Sequence, residues 1–242
     1  RMFPEISLSV IALLYNAGLL AVIPPDYFCC CYPFMANRNI DAAELKSYEN
    51  RVIFHKMAYT AGYLNIDAIV ISCGTCYEML DKYELENIFN NSQLIDINEY
   101  IAKENLYKKK YAGNKLLYHE PCHTPLKHKG CEKTFSSIYG DKPEIIPNCC
   151  GEAGTLALSR PDISNTLRDR KSENIDKSIN EKHIEVLTTC PSCVMGLTKL
   201  DGNTKVTGKS LAVYNAEQFL GKDWKKDFIK KVKQNGIEKI LY

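Results

Sequence analysis

Eight of the eleven cysteines fall into one spacing frame that the chain writes twice, and no other feature limits its fold so much. In the first copy Cys29-Cys30 leads, and Cys73-Gly74-Thr75-Cys76 begins 43 positions after Cys30. In the second copy Cys149-Cys150 leads, and Cys190-Pro191-Ser192-Cys193 begins 40 positions after Cys150. The flanks repeat too. Asn98 lies 22 positions after Cys76, and Asn215 lies 22 after Cys193. Pro4 precedes Cys29 by 25 positions, and Pro125 precedes Cys149 by 24. Four landmarks recurring in one order identify a duplicated half.

The apolar pattern predicts an α/β fold built as two pseudo-repeated α/β halves. Each carries a small, largely parallel sheet, with cysteine loops at the C-terminal ends of strands. Helical spacing of Ile6, Val10, Leu13 and Leu14 covers 5–17, and 19–23 reads as a short buried strand. A long helix follows over 42–62, ending at a glycine, then an all-apolar strand over 68–71 and helices over 75–85 and 97–104. In the second half strands are expected at 115–118, 144–146, 185–187 and 205–207. Helices are expected at 161–178, 210–220 and 224–234, the first with proline near its start. The Lys-rich stretch 103–114 is the natural linker, so the halves are taken as residues 1–109 and 113–242.

Composition removes several classes of function. Apolar residues make up 45% and charged residues 25%, which is ordinary for a folded domain and excludes disorder. Thirty-one basic against 29 acidic residues leave a net charge of +2, too balanced for a nucleic-acid surface. No apolar run reaches the ~18 residues a membrane span needs. Eleven cysteines in 242 residues is too sparse for a disulfide scaffold, and an odd count fits a pure disulfide framework badly. The first residue is Arg1, and no signal-peptide pattern follows it, so the chain reads as a piece of a longer polypeptide.

Clustered cysteines of this kind point to metal or redox chemistry. Each C-x-x-C follows a strand and enters a helix, where free N–H groups and the positive dipole end stabilise thiolate. Three uses remain open on spacing. A dithiol redox site needs one C-x-x-C and gives no role to Cys149-Cys150. Structural zinc wants four ligands, and neighbouring cysteines fit poorly on one tetrahedral ion. An iron–sulfur cluster has several metal corners, so adjacent thiolates can bind different irons. Cys131 has no repeat partner and reads as a core side chain. Cys31 is either packing or an extra ligand.

The series Cys122, Cys149-Cys150-Gly151, Cys190-Pro191-Ser192-Cys193 resembles the CCG cysteine-rich domain. That domain occurs in tandem in heterodisulfide reductase, in iron–sulfur subunits of glycolate oxidase and anaerobic glycerol-3-phosphate dehydrogenase, and in lactate-utilisation proteins. The segments Val70–Glu78 and His119–Pro125 look most like the C-terminal part of FAD-linked D-lactate dehydrogenase-like proteins. The resemblance implies that Cys122, Cys149, Cys150, Cys190 and Cys193 hold a 4Fe–4S cluster, of the non-cubane kind when the five act together. By the same frame Cys29, Cys30, Cys73 and Cys76 are the first-half ligands, for a second cluster or zinc. That half departs from the pattern twice. The family's first cysteine would fall at or before Arg1, leaving the half N-terminally truncated, and Cys31 stands where the CCG glycine belongs.

The same likeness implies an oxidoreductase: an iron–sulfur module taking electrons from a 2-hydroxy acid such as D-lactate or glycolate, by way of FAD on another domain. Flavin and ferredoxin-like domains would be its partners, and a quinone, thiol or disulfide its acceptor. The runner-up readings are heterodisulfide reductase-like disulfide reduction and a zinc-stabilised interaction domain. Thiolate chemistry suits a cytoplasmic setting, with the inner face of a membrane reached through partners. His119 and His123 flank Cys122 as candidate donors to sulfur, and Glu152 is a candidate helix cap or proton carrier. Gly151 is expected to supply a positive φ or a close approach. The lysines at 108–110 and 222–226 are expected to be solvated. No nucleotide, P-loop or serine-hydrolase motif is present.

Overall fold

Pro4 opens the first helix, at a position where its missing N–H would be unpaired in any case. In the computed structural model, which describes residues 3–25, 28–90, 92–109, 115–152 and 156–235, this is α1 (Pro4–Asn16). The first half continues with α2 (Tyr32–Ala36), α3 (Ile40–Thr60), β1 (Ala68–Ile71), α4 (Gly74–Asp81), α5 (Leu85–Ile88), β2 (Gln93–Asp96) and α6 (Ile97–Glu104). The second half holds β3 (Leu117–Tyr118), α7 (Cys131–Tyr139), β4 (Glu144–Ile145), α8 (Leu156–Ser159), α9 (Pro161–Ser178) and β5 (His183–Thr188). It ends with α10 (Pro191–Thr198), β6 (Lys205–Ser210), α11 (Leu211–Leu220) and α12 (Trp224–Asn235).

Both sheets are parallel, as all-apolar strands alternating with helices require. β1 pairs with β2 from Ala68 opposite Gln93 to Ile71 opposite Asp96. The second sheet has the order β4-β3-β5-β6. Its strands run outward in opposite senses from the β3–β5 pair, the place where open parallel sheets leave a crevice at the strand C-termini. The expected strand over 19–23 does not form: the segment is unpaired, and Leu20, Val22 and Ile23 are exposed. Pro24 and Pro25 offer no N–H to a ladder. In the second half the corresponding strand β4 pairs with β3, whose counterpart is not among the described residues. Conversely, β2 and α7 were not expected from the sequence. Of the expected linker over 103–114, the first two residues end α6 and residues 110–114 lie outside the described residues.

The largest apolar cluster is shared by both halves. It joins Leu13 and Leu14 of α1 and Ile97 and Ile101 of α6 to Tyr118, Phe135, Tyr139, Leu211 and Trp224. Smaller clusters serve each half alone, around Phe54 and Tyr83 in the first and around Val186 and Leu197 in the second. At the join, the two repeat-equivalent asparagines meet. Asn215 Nδ2 donates to Asn98 Oδ1 at 2.8 Å, and both side chains are buried. Asn98 is held by Asp96, which accepts from its backbone N–H at 2.8 Å and its Nδ2 at 2.7 Å. Burial pushes the Asp96 carboxyl up to about 7. Tyr139 donates its hydroxyl to Asn215 Oδ1.

Glu99 makes a second polar anchor between the halves. Its buried carboxylate accepts from the N–H groups of His128, Lys129 and Gly130, at 2.6–3.1 Å, just before α7 begins. A carboxylate there satisfies donors at a helix entrance and matches the dipole. Replacing Asn215 by Leu removes the buried amide that donates to the Asn98 carbonyl and accepts from the Tyr139 hydroxyl. We expect Asn215→Leu to lower stability by about 3 kcal/mol in urea denaturation, with the unfolding slope unchanged.

Candidate metal centre

Apart from Cys29 and Cys30, which follow the unpaired segment over 19–23, the cysteines of the repeated frame lie at strand C-termini or just beyond them. β1 runs into Cys73, which caps α4, and β5 runs through Thr188 and Thr189 into Cys190, which caps α10. Cys76 and Cys193 then fall three residues later, in the first helical turn, among N–H groups that have no intrahelical partner. β4 leads through Ile146-Pro147-Asn148 to Cys149-Cys150, and β3 leads to His119 and Cys122. The crevice beside β3 and β5 therefore collects second-half sulfurs from three separate loops.

Within it the Cys150 and Cys193 sulfurs lie 3.3 Å apart. Coordinating atoms of His119, Cys150 and Cys193 all fall within 4.8 Å of one another, and all three residues are buried. Hydrogen bonds link Cys149 to Cys150 and Cys190 to Cys193. These contacts sort the thiols. Cys150 is held far below the ordinary thiol range by donation from Cys149, then from Cys193, with His119 adding a smaller contribution. Cys190 is lowered by donation from Cys193. Cys193 is raised because it gives its proton to Cys150 and Cys190, and Cys149 is raised because it donates to Cys150. A metal cation bound among these sulfurs would replace the protons that the thiols carry. Cys122 stands at the exposed rim, within electrostatic reach of Cys149 and Tyr32.

The first half repeats the arrangement. Cys76 donates to Cys30 and Cys73 and is raised, while both neighbours are lowered. The Cys73 thiol comes down to about 6, through Cys76 first and against the cost of burial, with the Thr75 hydroxyl 3.2 Å from its sulfur. Cys30, Cys73 and Cys76 are brought together. Cys29 sits to one side, its sulfur acting on Cys31 and Lys46.

Cys31 answers to the glycine of the second half. Its φ is +74° and that of Gly151 is +75°. At Gly151 a Cβ would come within 2.8 Å of Arg168 Cγ and the Ser164 carbonyl oxygen, so only glycine fits. At Cys31 the side chain is fully buried, 3.3 Å from the Cys29 carbonyl oxygen and 3.7 Å from the Tyr83 hydroxyl. Burial pushes its thiol up. Cys31 packs in one buried cluster with Cys30, Ala43 and Met79, against which Cys76 is also packed. Cys131 is likewise a buried helix residue, its thiol pushed up to about 12 by desolvation.

The two cysteine sets face one another. A charge on Cys73 opposes ionisation of Cys190. Tyr32, from the first half, bonds through its hydroxyl to His123 Nε2 at 3.0 Å, and His123 Nδ1 lies 2.7 Å from a Glu78 carboxylate oxygen. Gly74 packs directly on the His123 carbonyl, where any Cβ would overlap the oxygen. His119 and Glu152 are both buried; Glu152 pairs with Lys199 at 2.8 Å.

Sequence reasoning missed the residues that hold the cysteine pairs from behind. Asn50 on α3 donates to the Cys29 carbonyl at 2.6 Å, and Lys171 on α9 donates to carbonyls of the turn before Cys149. The usable signal was position: both lie about 20 residues beyond their cysteine pair on the long helix that follows it. Soft thiolates gathered from several loops fit an iron–sulfur cluster or zinc. On the packing just described, Cys31→Gly should change stability by no more than about 1 kcal/mol and leave metal content unaltered. Gly151→Ala should lose about 3 kcal/mol through positive φ and overlap, as measured by urea denaturation of the metal-free protein.

The profile of the CCG cysteine-rich domain matches residues 1–81 and 116–198, and a domain of unknown function, DUF3400, matches residues 202–242. An uncharacterized iron-sulfur protein of Methanocaldococcus jannaschii is 30% identical over 189 residues, covering 76% of this chain and 36% of that protein. One subunit of the fumarate reductase (CoM/CoB) of Methanothermobacter marburgensis is 28% identical over 199 residues, covering 78% and 38%. Lactate utilization protein A 2 of Bacillus cereus is 23% identical over 241 residues, covering 91% and 93%. The chain spans little more than a third of the first two relatives. No solved structure matches it. With the profile on both halves of the cysteine frame, the chain belongs to the CCG cysteine-rich domain family.

Proposed function

We propose that the chain is an iron–sulfur electron-transfer module of an oxidoreductase. The observation that carries this reading is the pair of matched sulfur sets at helix entrances: Cys190 caps α10 with Cys193 3.3 Å from Cys150, and Cys73 caps α4 with Cys76 packed near Cys30. Cys149, Cys150, Cys190 and Cys193, with Cys122 from the rim, would hold a 4Fe–4S cluster in the second half. Cys30, Cys73 and Cys76, with Cys29 turning in, would hold a second cluster or zinc in the first. Such a cluster accepts and releases single electrons while staying bound. The chain's own residues bury the sulfurs, supply N–H donors from the α4 and α10 entrances, and place His119 against Cys150. Residues 1–109 and 113–242 would each contribute one site.

Likeness to a lactate utilization protein supports a 2-hydroxy acid such as D-lactate or glycolate as the electron source. On this reading, flavin and ferredoxin-like domains of the parent chain or of partner subunits deliver the electrons, and a quinone or a thiol/disulfide takes them. A second reading, disulfide reduction at the module itself, is favoured by the facing of Cys73 and Cys190 across the join. A substrate held there would touch both sets. No helix among the described residues is long and apolar enough to cross a membrane, and we place the module in the cytoplasm, able to meet the membrane's inner face through partners.

Iron, acid-labile sulfide and zinc per chain, measured on anaerobically purified protein, test this reading. About four irons and four sulfides are expected for each occupied half, lost from the second half in Cys193→Ala. Stoichiometric zinc without iron, even after reconstitution with iron and sulfide, would overturn it in favour of a structural domain.

A further inference from the structure

Lys171 is a lysine with no exposed surface, and its ammonium group points toward the second cysteine set. Its three N–H bonds spread over four acceptors. They are the carbonyl oxygens of Ile146 at 3.4 Å, Pro147 at 2.7 Å and Asn148 at 3.0 Å, and His119 Nδ1 at 3.2 Å. The three carbonyls form the turn that delivers Cys149 and Cys150, a turn that includes Asn148 at a φ of +70°. An ammonium only donates, so Nδ1 of His119 must accept, and the imidazole proton resides on Nε2. That leaves Nε2–H free to face Cys150, whose sulfur belongs with a His119 ring nitrogen and the Cys193 sulfur to a group of atoms within 4.8 Å of one another.

The first half has the same support without the charge. Asn50, also fully buried, donates to the Cys29 carbonyl at 2.6 Å and reaches Cys31 and Tyr83. A neutral amide holds one cysteine pair, and an ammonium holds the other.

We propose that Lys171 is a positioning residue for the second cysteine set. It pins the turn carrying Cys149 and Cys150, fixes the tautomer that His119 presents to Cys150, and keeps behind these sulfurs a fully buried ammonium, where the first half has the neutral Asn50 and, near Cys29 and Cys31, the partly exposed Lys46. Three or more thiolates on one divalent cation leave a site net negative, so a cation behind them favours the loaded state. The same charge makes a second-half redox centre more easily reduced than it would be without Lys171. Burial lowers the Lys171 ammonium to about 8, against the opposing pull of the Cys150, Cys193 and Cys149 sulfurs. The redox consequence rests on the iron–sulfur reading; the effect on metal-free cysteines does not.

Cobalt(II) binding by the metal-free protein at pH 7, followed by its thiolate charge-transfer band, separates the two. In a background where Cys73→Ser and Cys76→Ser silence the first half, Lys171→Gln is expected to weaken binding about tenfold. Unchanged affinity in a folded Lys171→Gln protein overturns the proposal. Should that variant fail to fold, His119 decides. His119→Phe breaks the link from Lys171 to Cys150 and is expected to weaken binding, while His119→Gln, able to accept from Lys171 and donate to sulfur, retains it. Equal losses in both would mark His119 as a metal ligand and overturn the proposed chain of hydrogen bonds. After reconstitution with iron and sulfide, Lys171→Gln should lower the midpoint potential of the second-half centre; an unmoved potential contradicts the charge effect. Failure of the unmodified protein to assemble any cluster would remove the iron–sulfur reading and leave the cobalt result to judge Lys171.

Discussion

Crowding ionised sulfur in a buried place is the constraint on which this molecule turns. Thiolates a few ångströms apart repel, and burial penalises each of them. The fold offsets this locally. Cys76 and Cys193 are raised by their sulfur neighbours and by burial, and the first turns of α4 and α10 offer unpaired N–H groups. The parallel sheets make this possible, because every strand ends on the same side and every following helix begins there. Moving one of these cysteines off its strand end would take it away from both sources of stabilisation.

Duplication explains the likeness of the two sites, and the join explains why they work against each other's charge. Asn98 and Asn215, equivalent in the repeat, bond to one another at 2.8 Å in the interior. Gly74 seats against the His123 carbonyl, and Tyr32 reaches His123. Through these contacts Cys73 comes within electrostatic range of Cys190. The halves differ where it matters for chemistry. Cys31 replaces the glycine of the cysteine loop and fills the space behind it, and Asn50 stands where the second half has Lys171. Two similar sites of unequal charge, close together, suit directed passage of electrons better than two identical ones.

Much of this was legible in the sequence. The cysteine frame carries the duplication, and apolar spacing locates α1, α3, α9, α11 and α12, because long amphipathic or capped helices announce themselves over many residues. Short elements do not. β2 carries only Leu94 and Ile95 as its apolar signal and was not expected, and the strands expected over 115–118 and 144–146 form as β3 and β4 with two residues each. The segment over 19–23 has the composition of a strand but lacks a described partner, and a strand exists only in pairs. Lys171 was invisible for another reason. It sits in the run Arg168-Asp169-Arg170-Lys171, which reads as a solvated helix face until the packing of α9 shows that it alone turns inward to full burial. Cys31 could be read as a ligand or as packing until its left-handed backbone identified it with Gly151.

The central claim is that two metal-bearing sulfur sets face one another across the join of the halves. Diffraction from crystals grown anaerobically, with anomalous differences recorded on either side of the iron absorption edge, tests it most directly. Iron density is expected against Cys150, Cys190 and Cys193 and, across the join, iron or zinc against Cys30, Cys73 and Cys76. A single zinc signal, or iron bound away from these sulfurs, would contradict it.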